Sequence, residues 1–469
     1  MEKNQLFRKI PKMDVLLSGE SAQNMIIQYG YDSVRTTFRK VQEEIRNSIL
    51  SCPEREDAKR IMEERIACIE ERTLELLNEM YCPHLKKVLN GTGTILHTNL
   101  GRAPIPKSIV EEAAKEVCSY SNLEFDLETG ARGNRGEAIE RLLCELTGAE
   151  AAVVVNNNAA AVLLVLHALS KGGDTIVSRG ELVEVGGHFR IPDVMELSGA
   201  HLVEVGTTNK TNLADYSDAI TEQTKVLLKV HTSNYRIVGF TEEVSVEELC
   251  TLGIPVVEDL GSGALLDLKN YGFTGEPYVQ DALRRGADVV CFSGDKLLSG
   301  PQAGIIIGKK CYIDQMKSNP VYRTMRIDKF TAAILEKILL EYRSESRAVQ
   351  NLPVLRMMTR ALDEVEEDAK RLKELLGKTV EEVSFELCSS KAQVGGGSLP
   401  LTTIPSIAVA CSPLQMKVEE FEQKMRELPF PLVGRIEKGK FLIDLRTFEM
   451  EYASEFVNEL RELYFDEEK

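Results

Sequence analysis

The sequence lacks several signatures that would decide its class at once. Its ten cysteines form no CxxC pair and follow no regular spacing, so neither a zinc site nor a disulfide framework is expected. A reducing compartment fits that usage. No apolar run approaches the roughly 18 to 20 residues needed to cross a bilayer. The longest, Ala159 to Leu166, follows three asparagines and stops at His167. Met1 to Lys12 is too charged for a secretory signal, and no internal repeat or low-complexity tract is present. The chain also lacks a basic excess. A net charge of -16 argues against non-specific nucleic-acid binding, which needs a surplus of Lys and Arg, so any such partner must find a local patch. A cytoplasmic protein is expected, with no metal, DNA or membrane partner.

What is there is globular: 469 residues, 43% hydrophobic and 28% charged. Residues 1 to 50 run against the overall charge, with eight basic groups, including Lys3, against six acidic ones. Val34, Phe38, Val41, Ile45 and Ile49 recur at helical spacing, which leaves Arg35, Arg39, Lys40 and Arg46 toward solvent. A solvated helix face is the ordinary meaning of such charges.

Periodicity divides the chain into a helical domain over 1–70, a linker over 71–90, a large α/β domain over 91–335 and a small α+β domain over 336–469. Short β-rich runs alternate with helical segments in the large domain, the rhythm of a mainly parallel sheet. They include Ala151–Val155, Asp174–Ser178, Ala200–Val205, Lys225–Val230, Pro255–Glu258, Asp288–Phe292 and Gly304–Ile307. Beyond it, Leu335 to Gly377 reads as helical with a glycine stop, before strands, a Gly395–Gly397 loop and a final helix.

The most specific local pattern runs from Phe292 to Gly304, where Lys296 stands in a polar, glycine-rich turn after an apolar strand. A lysine held and partly desolvated yields the neutral amine that attacks an aldehyde. A lysine in a turn is more often a plain surface residue. Asp259 closes another strand, however, and a carboxylate beneath a pyridine nitrogen makes pyridoxal phosphate an electron sink. Asn156, Asn157 and Asn158 join a strand to a helix whose first-turn N–H groups face an anion, although one asparagine would serve as a cap. Ser293 offers a further hydroxyl. His231 and Asn234 open at the same sheet edge, within reach of the cofactor's ring, where a histidine is as often structural. His84, His167, His188 and His201 have no comparable context.

With these residues in view, the sequence closely resembles the bacterial L-seryl-tRNA(Sec) selenium transferases, or selenocysteine synthases, which are fold-type I pyridoxal-phosphate enzymes. The resemblance rests on Asn90 to Pro104, Gly130 to Gly136, Val155 to Ala161, Val230 to Phe240, the Lys296 turn, and Tyr322 to Lys329. It implies an aspartate-aminotransferase-like fold, with Lys296 as the Schiff-base lysine and Asp259 as the partner of the ring nitrogen. It further implies that Arg102, Arg323 and Arg326 clamp selenophosphate, with Arg135 in support. The implied reaction eliminates water from the serine of seryl-tRNA(Sec) and adds selenium to the dehydroalanyl product. The helical N-terminal domain would bind the tRNA, and the assembly would be a homodecamer, a ring of five dimers. One departure stands out. The family pattern leads us to expect glycine where this chain has Ser299, a change that matters only if the position requires φ > 0.

Two rivals remain open. A related pyridoxal-phosphate lyase would remove ammonia or water from a free amino acid or amino sugar acid, and would need no tRNA module. A tRNA-binding scaffold would have kept the fold without catalysis, although Lys296 and Asp259 speak against it.

Overall fold

A computed structural model describes residues 6–52, 55–187 and 189–465. Lys3 and His188, both named above, lie outside the described residues. The chain forms two compact units, Met1–Lys87 and Val88–Lys469.

The first unit is helical, with helices Met13–Ser18, Glu20–Tyr29, Tyr31–Ser51, Arg55–Ala67 and Ile69–Tyr81. In the long third helix the predicted apolar stripe of Val34, Phe38, Val41, Ile45 and Ile49 is buried, with Leu76 and Leu77 of the last helix in the same core. Arg35, Arg39, Lys40 and Arg46 are exposed. The last helix, Ile69–Tyr81, runs through the first part of the segment set apart as a linker and buries Ile69, Leu76 and Leu77.

The second unit is built on a seven-stranded sheet. Its strands are β1 (Ala151–Val155), β2 (Asp174–Ser178), β3 (His201–Val205), β4 (Thr224–Val230), β5 (Val256–Gly261), β6 (Val289–Ser293) and β7 (Gly304–Gly308). They lie in the order β1-β7-β6-β5-β4-β2-β3. All neighbours are parallel except β7, which runs antiparallel to both β1 and β6. Alternate residues serve two cores: Ala152, Val154, Ile305 and Ile307 face one, and Val153, Val155 and Ile306 the other. A sheet covered on both faces needs strands that are apolar throughout, which is why these segments read as continuous hydrophobic runs.

A second sheet contains Arg435–Glu437, Lys440–Asp444, Thr403–Pro413, Val383–Gly395 and Thr94–Leu96 in that order. Thr94–Leu96 thus joins strands from the far end of the chain, with Thr94 opposite Gln393 and Leu96 opposite Gly395. The expected boundary at residue 91 therefore places in the large domain a strand that pairs with the C-terminal sheet. Gly377 is not a stop. It sits inside the helix Leu362–Thr379, where the buried Leu372 and Leu376 outweigh a glycine's cost. Among the described residues no helix is long and apolar enough to cross a membrane.

Candidate active site

In an open parallel sheet, groups leaving the carboxyl ends of neighbouring strands meet along one edge. Three such exits converge here. Asp259 lies on β5, opposite Val230 of β4 on one side and Cys291 of β6 on the other. His231, following β4, donates its N–H to the Asp259 carbonyl at 2.9 Å. Lys296 lies in the turn that leaves β6.

Backbone contacts hold that turn. Gly294 N–H donates to Ala303 O at 2.8 Å, Gly300 N–H to Gly294 O at 2.9 Å, and Leu297 N–H to Ser262 O at 3.0 Å. The last bond ties the lysine turn to the exit of β5. That exit requires glycine, because Gly263 has φ +72° and a Cβ there would lie 2.5 Å from Ser293 O. Ser293 itself is buried and opposite Gly304.

Asp259 is 7% exposed. Its Oδ1 accepts from Asn158 Nδ2 at 2.9 Å and Gly261 N–H at 3.1 Å. Burial raises its pKa, against the Asn158 amide, the Lys296 charge and the Gly261 N–H. Burial lowers the Lys296 pKa; Asp259, Asp295 and Glu276 oppose that shift and Arg102 reinforces it. Burial also pushes the His231 imidazole down to about 4, with Glu243 opposing and Lys229, Lys296 and Arg285 reinforcing. The ring is therefore uncharged at neutral pH.

The three asparagines divide their work. Asn157 caps the helix Asn158–Leu169 by accepting from Ala160 N–H at 2.9 Å, and Asn158 serves Asp259. The Asn156 N–H donates to Met325 O at 2.9 Å, joining this turn to the segment that carries Arg323 and Arg326.

A cavity of about 390 Å³ opens beside Lys296, lined also by Thr94, Thr98, Arg102, Asn234 and the loop Gly395–Gly397. Gly397 packs on the amine itself: a Cβ there would lie 2.5 Å from Lys296 Nζ. Arg102, at φ 62°, pairs with Asp295 at 2.7 Å. The other arginines are placed differently. Arg135 and Arg326 meet at Glu124, 3.0 and 3.2 Å from its Oε1, and Arg323 is exposed. The structure thus groups Arg102 with the lysine cavity and Arg135 with Arg326 beside the asparagine turn.

Sequence reasoning missed three elements. Glu124 and Glu276 stand in segments without a distinctive spacing. Glu276 is nevertheless buried, its Oε2 accepts from Leu399 N–H at 3.2 Å, and its Oε1 has no partner among the described residues. The Gly395–Gly397 loop was legible as a loop, but its contact with a lysine about a hundred residues earlier was not. Among the described residues no group of three or more His, Cys, Asp or Glu could hold a metal ion.

The mixed, mostly parallel sheet, with a half-buried lysine after β6 and a buried acid on β5, is a fold-type I α/β enzyme architecture. Among solved structures the fold is shared with D-glucosaminate-6-phosphate ammonia-lyase (TM-score 0.54, 20% identity, 81% of this chain and 96% of that one). The family described as L-seryl-tRNA selenium transferase matches residues 88–449, and selenocysteine synthase N terminal matches residues 7–46. The L-seryl-tRNA(Sec) selenium transferase of Desulfotalea psychrophila is 45% identical over 463 residues, 96% of either chain. That of Geotalea daltonii is 48% identical over 454 residues, 96% of this chain and 97% of the relative. The chain belongs to the L-seryl-tRNA selenium transferase family.

Proposed function

We propose that this chain converts seryl-tRNA(Sec) to selenocysteyl-tRNA(Sec), with selenophosphate as selenium donor and pyridoxal 5'-phosphate as cofactor. The observation that carries the reading is that Lys296, in the turn after β6, and Asp259, on β5, lie within electrostatic reach of each other, in a chain 45% and 48% identical to two such transferases over nearly its whole length.

The residues fit the cofactor. Asp259 Oδ1 takes both hydrogen bonds and Oδ2 accepts none among the described residues, which leaves it for a ring N–H. Asn158 Oδ1 is buried without a partner among the described residues, and the helix that starts there offers first-turn N–H groups to a phosphate. Ser293 and Asn234 are further holding groups. Bound there, pyridoxal phosphate supplies an electron sink for charge developing at the serine Cα.

Lys296, its pKa lowered by burial, presents an amine able to take the Cα proton and return one at the end of the cycle. Asp259 holds a proton on the ring nitrogen, and the uncharged His231 offers a flat face without competing for that charge. Net, the β-hydroxyl leaves as water, selenium bonds to the β-carbon in its place, and the donor's Se–P bond is cleaved by water so that the phosphoryl group leaves as inorganic phosphate. Arg102, Arg323 and Arg326, with Arg135 in support, clamp the donor's oxyanion, for which rigid guanidinium forks are suited. The helical unit binds the tRNA, and the protein works in the cytoplasm as a ring of five dimers.

The test is to mix protein, pyridoxal phosphate, seryl-tRNA(Sec) and selenophosphate and identify the esterified amino acid. Selenocysteine is expected from the parent chain and none from Lys296→Ala. Turnover of free serine or an amino sugar acid, with seryl-tRNA(Sec) untouched, would support the lyase instead.

A further inference from the structure

Glu124 has no part in the chemistry above, yet it stands at the centre of the arginine cluster. Its Oε1 accepts from Arg135 Nε at 3.1 Å and from Arg326 Nη1 at 3.2 Å, and Arg135 Nη2 lies 3.0 Å away. Its Oε2 accepts from Arg132 Nη2 at 3.2 Å. Arg135 Nη1 is spent on Ile327 O at 2.8 Å. The Nε/Nη2 edge of Arg135, the edge that could grip an oxyanion, is therefore already filled by a carboxylate of the chain itself. Arg326 is not saturated, since its Nε is buried without a partner among the described residues.

The cluster is fixed in place. The Arg326 backbone bridges to Val155 at the end of β1, and the neighbouring Met325 carbonyl accepts from Asn156. A structural ion pair needs one arginine per carboxylate. Among the described residues Glu124 is the one acid paired with these three guanidinium groups, which leaves two positive charges over in one place, an arrangement that attracts an anion of matching charge. The three guanidinium groups outweigh the opposing effect of burial and hold Glu124 below the usual carboxylate range, so it is ionised at neutral pH.

We infer that Glu124 is a built-in stand-in for the donor's oxyanion, one that keeps the guanidinium groups assembled when no donor is bound and yields them only to an anion carrying more charge than a carboxylate. This rests on the reading of Arg135 and Arg326 as part of the donor site. Glu124 is thus a specificity-determining residue. It sets a charge threshold that favours a tetrahedral dianion over monoanions.

The test titrates the cofactor-loaded enzyme, whose cofactor phosphate site is filled, with sulfate and with nitrate in a calorimeter. Glu124→Gln keeps one acceptor oxygen for the arginines but removes the competing charge. It is expected to bind sulfate roughly tenfold more tightly than the parent and to gain nitrate binding. Glu124→Asp, with the charge kept, should behave like the parent. Arg326→Ala should bind sulfate more weakly. If Glu124→Gln binds both anions no better than the parent while Arg326→Ala weakens, the donor site stands and the role of Glu124 is overturned. If neither variant differs from the parent, the placement of the donor site fails and this inference with it.

Discussion

Ser299 carries a φ of 59°, in the left-handed region that side chains rarely adopt, and is fully buried. The departure from the expected glycine therefore falls where it matters. A compensation is visible, since Ser299 Oγ accepts from Val354 N–H at 3.3 Å, satisfying a first-turn donor of the helix Pro353–Thr359. Ser299→Gly should relieve about 1 kcal/mol of strain and lose a bond worth about as much, leaving stability within about 1 kcal/mol of the parent. Ser299→Ala keeps the strain and loses the bond, so it should be the less stable variant in denaturant melts. His231 gives a second prediction at this scale. Its folded pKa of about 4 lies below the ordinary 6.5, so between those values the unfolded chain takes a proton that the folded one refuses. The stability it contributes is complete above pH 6.5 and falls away toward pH 4, by at most about 3 kcal/mol. Asp259, with its raised pKa, acts in the opposite sense, so the comparison must be between parent and His231→Asn. The variant's melting temperature should fall less between pH 6.5 and 4. Lys296 and Asp259 were legible in the sequence because each closes an apolar run in a polar, glycine-containing turn. Glu124 was not, because what marks it is three arginines brought together by the fold.

At the scale of elements, the antiparallel β7 explains a glycine whose meaning the sequence hides. Gly304 opens β7 between Val155 and Ser293, so its backbone lies against the asparagine turn. A Cβ there would be 2.0 Å from Asn157 O and 2.4 Å from Asn157 C, both backbone atoms that cannot move aside cheaply. Gly304→Ala should cost about 3 kcal/mol. It should also weaken pyridoxal-phosphate binding, followed by the cofactor's absorbance, because the displaced turn carries Asn157 and Asn158. Gly377→Ala makes the contrast. That glycine is exposed in a helix with nothing within 4 Å of a Cβ, and the alanine should stabilise by about 0.5–1 kcal/mol. Both are glycines beside apolar residues in the sequence, and only packing distinguishes them. The same limit explains the strand Thr94–Leu96. Its pairing with Gln393–Gly395 spans almost three hundred residues and leaves no local signal, whereas the central strands announce themselves by apolar runs that local reading can find.

At the scale of the whole molecule, two units with different chemistry share one chain. The helical unit has its own core around Phe38, Val41, Ile45, Leu76 and Leu77, and it ends at Lys87, a few residues after its last helix. Every residue offered above for the cofactor or the oxyanion lies in the second unit. A chain shortened to begin at Val88 should therefore fold, bind pyridoxal phosphate and show the parent's cofactor absorbance. It should lose tRNA(Sec). The net charge of -16 opposes RNA over the molecule as a whole, so the proposed binding depends on a local patch, and Arg35, Arg39, Lys40 and Arg46 are exposed along a single helix. Full-length protein should bind tRNA(Sec) more tightly than ordinary serine tRNA, because recognition of shape adds to the phosphate contacts. Its affinity should also fall steeply as salt rises. Binding of both tRNAs to both chains at two salt concentrations checks this, and equal, salt-insensitive binding by the shortened chain would assign the helical unit to assembly rather than to RNA.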